Sequence, residues 1–212
     1  MLVLAFDTSS AAVTADLVDV SAHPTLLAHE QWLGPHGHSE QLTPTIAACL
    51  DSAGRTARDL GAIVVGAGPG PFTGLRVGLV TAAAMAEALG IPAYDACSLD
   101  GLAPQTGTVL VATDARRKEV YWATYAEGHR LSGPHVSYPA DVEPGAATAM
   151  TGAGARLYAD VLGLPLIEGE HPSPAALVTV ALDKIRSAAP SDPLTPLYLR
   201  RPDAVVPKAM VR

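Results

Sequence analysis

Apolar positions fall at two-residue and three-to-four-residue spacings that divide the chain into short strands and a few helices. Leu2 to Phe6 is an apolar run of the buried-strand type that stops at Asp7-Thr8-Ser9-Ser10, a cluster of acid and hydroxyls at a strand end. Ala12 to Val18 and Leu26 to Trp32 alternate as two further strands, with Asp19 to Pro24 as the turn between them. A three-stranded antiparallel opening is therefore expected. From His38 to Ala53, Leu42, Ile46, Leu50 and Ala53 recur along one side of a helix. Pro44 within it predicts either a kink or a helix that begins there with Thr43 as its cap. Ala62 to Val65 is the next strand, and it runs into Gly66 to Gly90, a glycine-proline turn followed by a helix with Thr73 as candidate cap.

The order then restarts. Thr108 to Thr113 is a strand that ends at Asp114, and Glu119 to Tyr125 alternates as its neighbour. Asp114 stands in the second half where Asp7 stands in the first, so the pattern predicts two repeated α/β lobes, residues 1–104 and 105–212. Gly128 to Pro144 reads as turns and an edge strand, Ala146 to Gly154 as a strand into a glycine turn, and Ala155 to Leu162 as a short helix. Pro174 to Ser187 is a helix with Leu177, Ala181, Leu182 and Ile185 inward, and Pro190 to Pro207 is expected to lie extended against the second lobe.

Gly74, Gly78, Ala82 and Ala86 recur every four residues and line one side of the helix that follows the turn. Glycine inside a helix costs about 1 kcal/mol relative to alanine, so two of them need a reason such as close helix-to-helix approach. Between Val77 and Tyr94 only Glu87 is charged, which leaves two ways to cover the helix: its own domain or a second chain. The turn matches neither GxxxxGK[ST] nor a GxGxxG followed by a suitably placed acid, which argues against those nucleotide loops.

Composition narrows the reading further. Hydrophobic residues make up 49% and charged residues 17% of the 212, enough for a substantial core. The most apolar window, Val77 to Ala86, is shorter than the ~18 residues of a membrane span, and no basic leader precedes an apolar run; a cytoplasmic protein without a membrane partner is expected. Cys49 and Cys97 have no metal or redox spacing and read as reduced, buried thiols. His36 and His38 could share an ion, but only Glu40 offers a further ligand, so no metal is expected. The net charge of −7 lies wholly in residues 1–100, where ten carboxylates face Arg55, Arg58 and Arg76. Residues 101–212 hold eleven charges of each sign, and the basic concentration of Arg200, Arg201, Lys208 and Arg212 reads as a solvated tail. Such a distribution argues against a chain that grips nucleic acid by itself.

Five stretches taken together resemble the TsaB (YeaZ) family: Leu4-Ala-Phe-Asp-Thr-Ser-Ser10, His38-Ser-Glu-Gln-Leu-Thr-Pro44, Gly66 to Gly78, Thr113-Asp-Ala-Arg116 with Glu119-Val-Tyr-Trp-Ala123, and Pro196-Leu-Tyr-Leu-Arg200. The resemblance implies an actin-like ATPase (ribonuclease H-like, ASKHA) fold of two duplicated lobes. It implies a non-catalytic subunit that docks on TsaD, binds TsaE, and forms a homodimer when TsaD is absent. The supported reaction would be transfer of threonylcarbamoyl to the adenosine beside the anticodon of tRNAs reading ANN codons, with tRNA held mainly by the other subunits. TsaD carries two metal-binding histidines after the glycine-rich helix, whereas Tyr94 to Leu102 here has none.

Site residues follow from the same resemblance. Leu42, Ile46 and Leu50 on one helix and Gly74, Leu75, Gly78, Leu79, Ala82 and Ala86 on the other would form the partner interface, so Gly78→Leu is expected to abolish complex formation in a folded chain. Asp7, Thr8, Ser9 and Asp114 would be vestigial phosphate loops. No cofactor is required, although a weak ATP or ADP site at the inter-lobe cleft or complex junction is compatible with the fold. Two alternatives stay open. One is a nucleotide-binding sensor using Asp7, Thr8, Asp114 and the Thr151-Gly-Ala-Gly154 turn; the other is a glycoprotease-like hydrolase using Ser9, Ser10, Ser39 with His38, or Cys97, none in a GxSxG context.

Overall fold

The computed structural model describes residues 1–34 and 37–200. Its first sheet contains β1 (Leu2–Asp7), β2 (Ala12–Asp19), β3 (Thr25–Leu33), β4 (Leu60–Gly66) and β5 (Ala93–Ala96), in the order β3-β2-β1-β4-β5. β1, β2 and β3 are antiparallel neighbours, while β4 and β5 add on parallel to β1. Phe6 pairs with Ala15 on one side and Val65 on the other, which fixes which residues share a face. Leu4, Phe6, Val13, Leu17, Ile63 and Val65 form one core with helices α1 (His38–Ser52) and α2 (Phe72–Leu89).

Helix α1 begins at His38 and carries Pro44 in its interior, so the proline is not its first residue and Thr43 is not its cap. Helix α2 likewise starts at Phe72 behind Pro71, not behind a Thr73 cap, and stops at Gly90, which takes the left-handed conformation at φ 66°. By length and composition α2 could cross a bilayer, its 18 residues averaging a hydropathy of 1.3, longer than the Val77–Ala86 window suggests. A third of it, 33%, is buried against its own domain.

A second sheet contains β6 (Thr108–Asp114), β7 (Val120–Ala126), β8 (His129–Ser137) and β9 (Ala149–Thr151), in the order β8-β7-β6-β9. Antiparallel β6-β7-β8 and parallel β9 reproduce β3-β2-β1-β4 of the first sheet. The lobes are thus duplicates of one ribonuclease H-like unit, arranged as in the actin-like ATPase (ASKHA) fold. Asp7 and Asp114 end the equivalent strands β1 and β6. The helix expected after β9 is two short ones, α3 (Ala153–Leu157) and α4 (Ala159–Leu162).

The chain does not divide cleanly at residue 104. The helical stretch after Ser173 consists of α5 (Pro174–Val180) and α6 (Leu182–Arg186), and it packs on the first sheet. Leu177, Val178, Ala181 and Ile185 cover Val3, Ala5, Ala62, Val64 and Tyr94, a face that would otherwise be bare apolar surface. Asp16 on β2 fixes this docking: one carboxylate oxygen accepts from Ala175 N (2.7 Å) and the other lies 2.6 Å from His29 Nδ1. Residues 190–197, expected on the second lobe, also hydrogen-bond to the first, through Ala93 and Ala67. The cause is that β5 is an edge strand whose backbone groups need partners.

Candidate functional site

The end of β1 is built into the start of α2. Asp7 is 1% exposed. Its carboxylate accepts from Ser9 N (2.8 Å), Ser9 Oγ (2.6 Å) and Ser98 Oγ (2.5 Å), and Ser98 Oγ in turn accepts from Gly68 N (3.0 Å). Burial pushes the Asp7 carboxyl above the ordinary carboxylate range, although the serine hydrogen bonds pull the other way. The Thr8 hydroxyl donates to Gly74 O at 2.8 Å. A Cβ on Gly78 would stand 2.5 Å from Thr8 Oγ1, and one on Gly74 would stand 2.5 Å from Thr8 O. A Cβ on Gly66 would run into the Asp7 carboxylate and one on Gly70 into the Ser9 backbone.

These distances correct the assignment of the small-residue row. Gly74 and Gly78 let α2 settle on the end of β1 in the same chain; they do not admit a helix of another subunit. Leu42, Ile46, Leu50, Leu79, Ala82 and Ala86 belong to the first-lobe core, and Leu75 is fully buried beside Gly68. None of the nine residues named as partner interface is available to a partner. Gly78→Leu would break the lobe itself, because the new side chain meets Thr8 and Val65.

The positions expected to be vestigial phosphate loops diverge from one another. Asp7, Thr8 and Ser9 are buried, with the Asp7 carboxylate and the Thr8 and Ser9 hydroxyls hydrogen-bonded within the chain. Asp114 is different: its side chain is 26% exposed, accepts from Arg116 N (2.8 Å) and pairs with the Arg116 guanidinium (3.2 Å). Arg116, Arg117 and Lys118 all take left-handed φ values of 61°, 54° and 64°, which curls the loop tightly past the strand end. Asp114 and Arg116 line a cavity of about 600 Å³ between the lobes, with Phe72, Arg76, Tyr121, Tyr198 and Arg200. The Arg76 guanidinium lies 3.8 Å from the centre of the Phe72 ring, Phe72 stacks on Tyr198 at 5.1 Å, and Arg76 Nε donates to the Tyr198 hydroxyl (3.1 Å). The Thr151–Gly154 turn does not line this cavity; Gly152 and Gly154 press on the backbone of Ala112 and Thr113.

Sequence reasoning missed Arg76, Tyr121, Tyr198 and Arg200 as one group. Arg76 was legible as a lone cation on an apolar helix, and Tyr198 and Arg200 lie in the Pro196–Arg200 stretch, but nothing local joins them.

Other candidates are accounted for. His38 Nε2 lies 2.8 Å from Ser10 O, and its ring meets Trp32 edge-on; His36 lies outside the described residues. Among the described residues no three His, Cys, Asp or Glu side chains come together as metal ligands. Burial pushes the Cys49 and Cys97 thiols up to about 12, so neither is a thiolate nucleophile at neutral pH. Ser9 Oγ is held by Asp7 rather than by a general base. Asp100, in the turn after β5 where a metal-binding pair is lacking, accepts from Tyr125 (2.7 Å) and pairs with Arg130 (3.2 Å).

What remains exposed is the outer side of α1 and α2, which are neighbours. It presents Thr43, Pro44, Ala47 and Ala48 from α1 and Thr73, Val80, Ala83 and Ala84 from α2. Val80 is 66% exposed. The charged residues exposed with them are Glu40 and Asp51 near the two ends of α1 and Arg76 and Glu87 near the two ends of α2.

A family model described as TsaD, tRNA N6-adenosine threonylcarbamoyltransferase, matches residues 34–167, more than half of the chain. The chain is 34% identical over 131 residues to the Escherichia coli tRNA threonylcarbamoyladenosine biosynthesis protein TsaB, which covers 59% of this chain and 55% of that protein. YeaZ from Pseudomonas aeruginosa superposes with a TM-score of 0.78 at 26% identity, covering 93% of this chain and 99% of that one. The chain belongs to this family, on its TsaB (YeaZ) branch. An uncharacterized protein of Mycobacterium leprae is 51% identical over 205 residues, 96% of this chain and 56% of that protein. The chain therefore spans little more than half the length of the M. leprae protein and of E. coli TsaB. The distances around Thr8 give the physical reason for the glycines of α2: the helix seats directly on the end of β1.

Proposed function

We propose that this chain is a non-catalytic scaffold subunit in tRNA threonylcarbamoyladenosine biosynthesis. It docks a TsaD-type catalytic subunit, with TsaE joining that assembly, and pairs with a second copy of itself when TsaD is absent. Through this it supports transfer of threonylcarbamoyl to the adenosine beside the anticodon of tRNAs reading ANN codons. The observation that carries the reading is the charge-poor outer side of α1 and α2, where Ala47, Ala48, Val80 and Ala84 lie exposed on adjacent helices. Small side chains there let a partner's helices approach closely, as in ridge-into-groove packing. The acidic first half favours tRNA on the other subunits.

The test is Val80→Arg with Ala84→Arg, which adds two cations to the outer side and touches no core residue. Co-purification with TsaD and restoration of tRNA modification in a depleted extract should both be lost, while the melting temperature stays within about 2 °C of wild type. Wild-type co-purification yield by the double variant would overturn the proposal.

A second property is favoured by the inter-lobe cavity. Three aromatic rings and three arginines around about 600 Å³ suit a planar, anionic ligand, so weak ATP or ADP binding belongs at Asp114 and Arg76 rather than at Asp7. Titration calorimetry with ATP and Mg²⁺ on wild type and Arg76→Ala tests it; unchanged heats between the two would rule this cavity out.

A further inference from the structure

Residues 190–200 cross from one lobe to the other. Ser191 Oγ accepts from Ala93 N (3.1 Å), Asp192 N donates to Ala93 O (2.9 Å), and the Asp192 carboxylate accepts from Asp95 N (3.1 Å) and Lys184 Nζ (2.7 Å). Thr195 N donates back to the Asp95 carboxylate at 3.1 Å, and Leu197 N donates to Ala67 O at 2.8 Å. The Leu197 side chain packs against both the first-lobe core and the cluster around Tyr125. Beyond it, Tyr198 covers Phe72, and Arg200 pairs with Glu119 and donates to Arg116 O (3.2 Å), both in the second lobe.

The two ends of this crossing are unequal. Several hydrogen bonds hold the first-lobe end along β5, whereas among the described residues the polar hold on the second lobe runs through Arg200, about a quarter exposed like its partner Glu119. A second tie across the lobe junction is Asp100 in the connecting turn, which accepts from the Tyr125 hydroxyl and pairs with Arg130; Asp100 and Tyr125 are buried, while Arg130 is 32% exposed. The buried Asp100–Tyr125 hydrogen bond resists opening, while an ion pair with both partners partly exposed is weak and screened by salt.

We propose that residues 190–200 are a latch that sets the angle between the lobes, with Arg200 on Glu119 as its releasable catch and the Asp100–Tyr125–Arg130 grip as the hinge. Release at Arg200 withdraws that side chain from Glu119 and leaves Tyr198 on Phe72 and Arg76 at the start of α2, so the two walls of the cavity part. The latch thereby couples the state of the cleft to the helix whose outer side is exposed. It requires neither a bound nucleotide nor a partner subunit, and its test stands apart from theirs.

Spin labels at Arg58→Cys in the first lobe and Leu157→Cys in the second report the inter-lobe distance by pulsed electron resonance, since Cys49 and Cys97 are buried. In that background Arg200→Glu should shift the distance distribution outward and about double its width, and Glu119→Arg should do the same. The exchanged pair, Glu119→Arg with Arg200→Glu, should restore the wild-type distribution. Molar salt should broaden the distribution of the unexchanged chain, which guards against variants that merely misfold. Arg200→Glu and molar salt both leaving the distribution unchanged would overturn the latch, as would failure of the exchange to rescue two folded single variants.

Discussion

Two strand ends that the duplication makes equivalent have opposite fates. At the end of β1, Asp7 is sealed beneath α2, its carboxylate saturated by Ser9 and Ser98. At the end of β6, Asp114 faces a cavity and pairs with Arg116 at the surface. Strand order and position are the same; what differs is the following element. After β1 the chain tucks Thr8 and Ser9 under an 18-residue helix whose glycines admit backbone contact. After β6 it turns outward through three left-handed residues. An equivalent position in a duplicated fold is thus no guide to access, which depends on the packing above it.

The contrast predicts a graded set of responses. Gly78→Leu should be the most damaging, because its side chain must displace Thr8 and Val65 from a closed core; a loss of about 4 kcal/mol or more in denaturant unfolding is expected, enough to unfold a marginal domain. Retention of near-native stability would mean that α2 is not seated on β1 as described.

Asp7→Ala comes next. It strips Ser9 and Ser98 of a buried acceptor and should cost about 2–3 kcal/mol, whereas Asp114→Ala should cost under about 1 kcal/mol because its ion pair is solvent-screened. Equal losses at the two positions would erase the distinction between sealed and open ends.

A smaller effect concerns pH. Because burial raises the folded-state value of Asp7 above its unfolded value, the folded state favours the protonated form. That contribution is fully present below the unfolded carboxylate value and is lost as pH rises through the folded value. Asp7→Asn should flatten this part of the stability profile, and an unchanged slope in urea titrations across the acidic range would count against a buried, raised carboxyl. Smallest of all, Arg76→Ala removes a partly exposed contact with Phe72 and Tyr198 and should cost about 0.5–1 kcal/mol by thermal unfolding.

Much of the framework was legible because it rests on local periodicity. β1 to β4, β6, β7, α1 and α2 all lie where alternating or four-residue spacing puts them, and Asp7 and Asp114 do close equivalent strands. Legibility failed where partners are remote in sequence. Ser98 reaches Asp7 across ninety-one residues, and Asp16 caps α5 across one hundred and fifty-nine. Tyr198 meets Arg76 across one hundred and twenty-two. No window of neighbouring residues carries such information.

The glycine row shows where the division lies. Sequence alone established that some backbone must approach α2 closely, since glycines at positions 74 and 78 are otherwise costly in a helix. It did not establish whose backbone, because an absent Cβ leaves the same space for any visitor. Tertiary structure decided that Thr8 occupies it, turned Leu42, Ile46 and Leu50 inward, and left the alanines and Val80 outside. The physical reason is that periodicity specifies which side of an element is apolar or small, while the identity of what covers that side is set by the path of the whole chain.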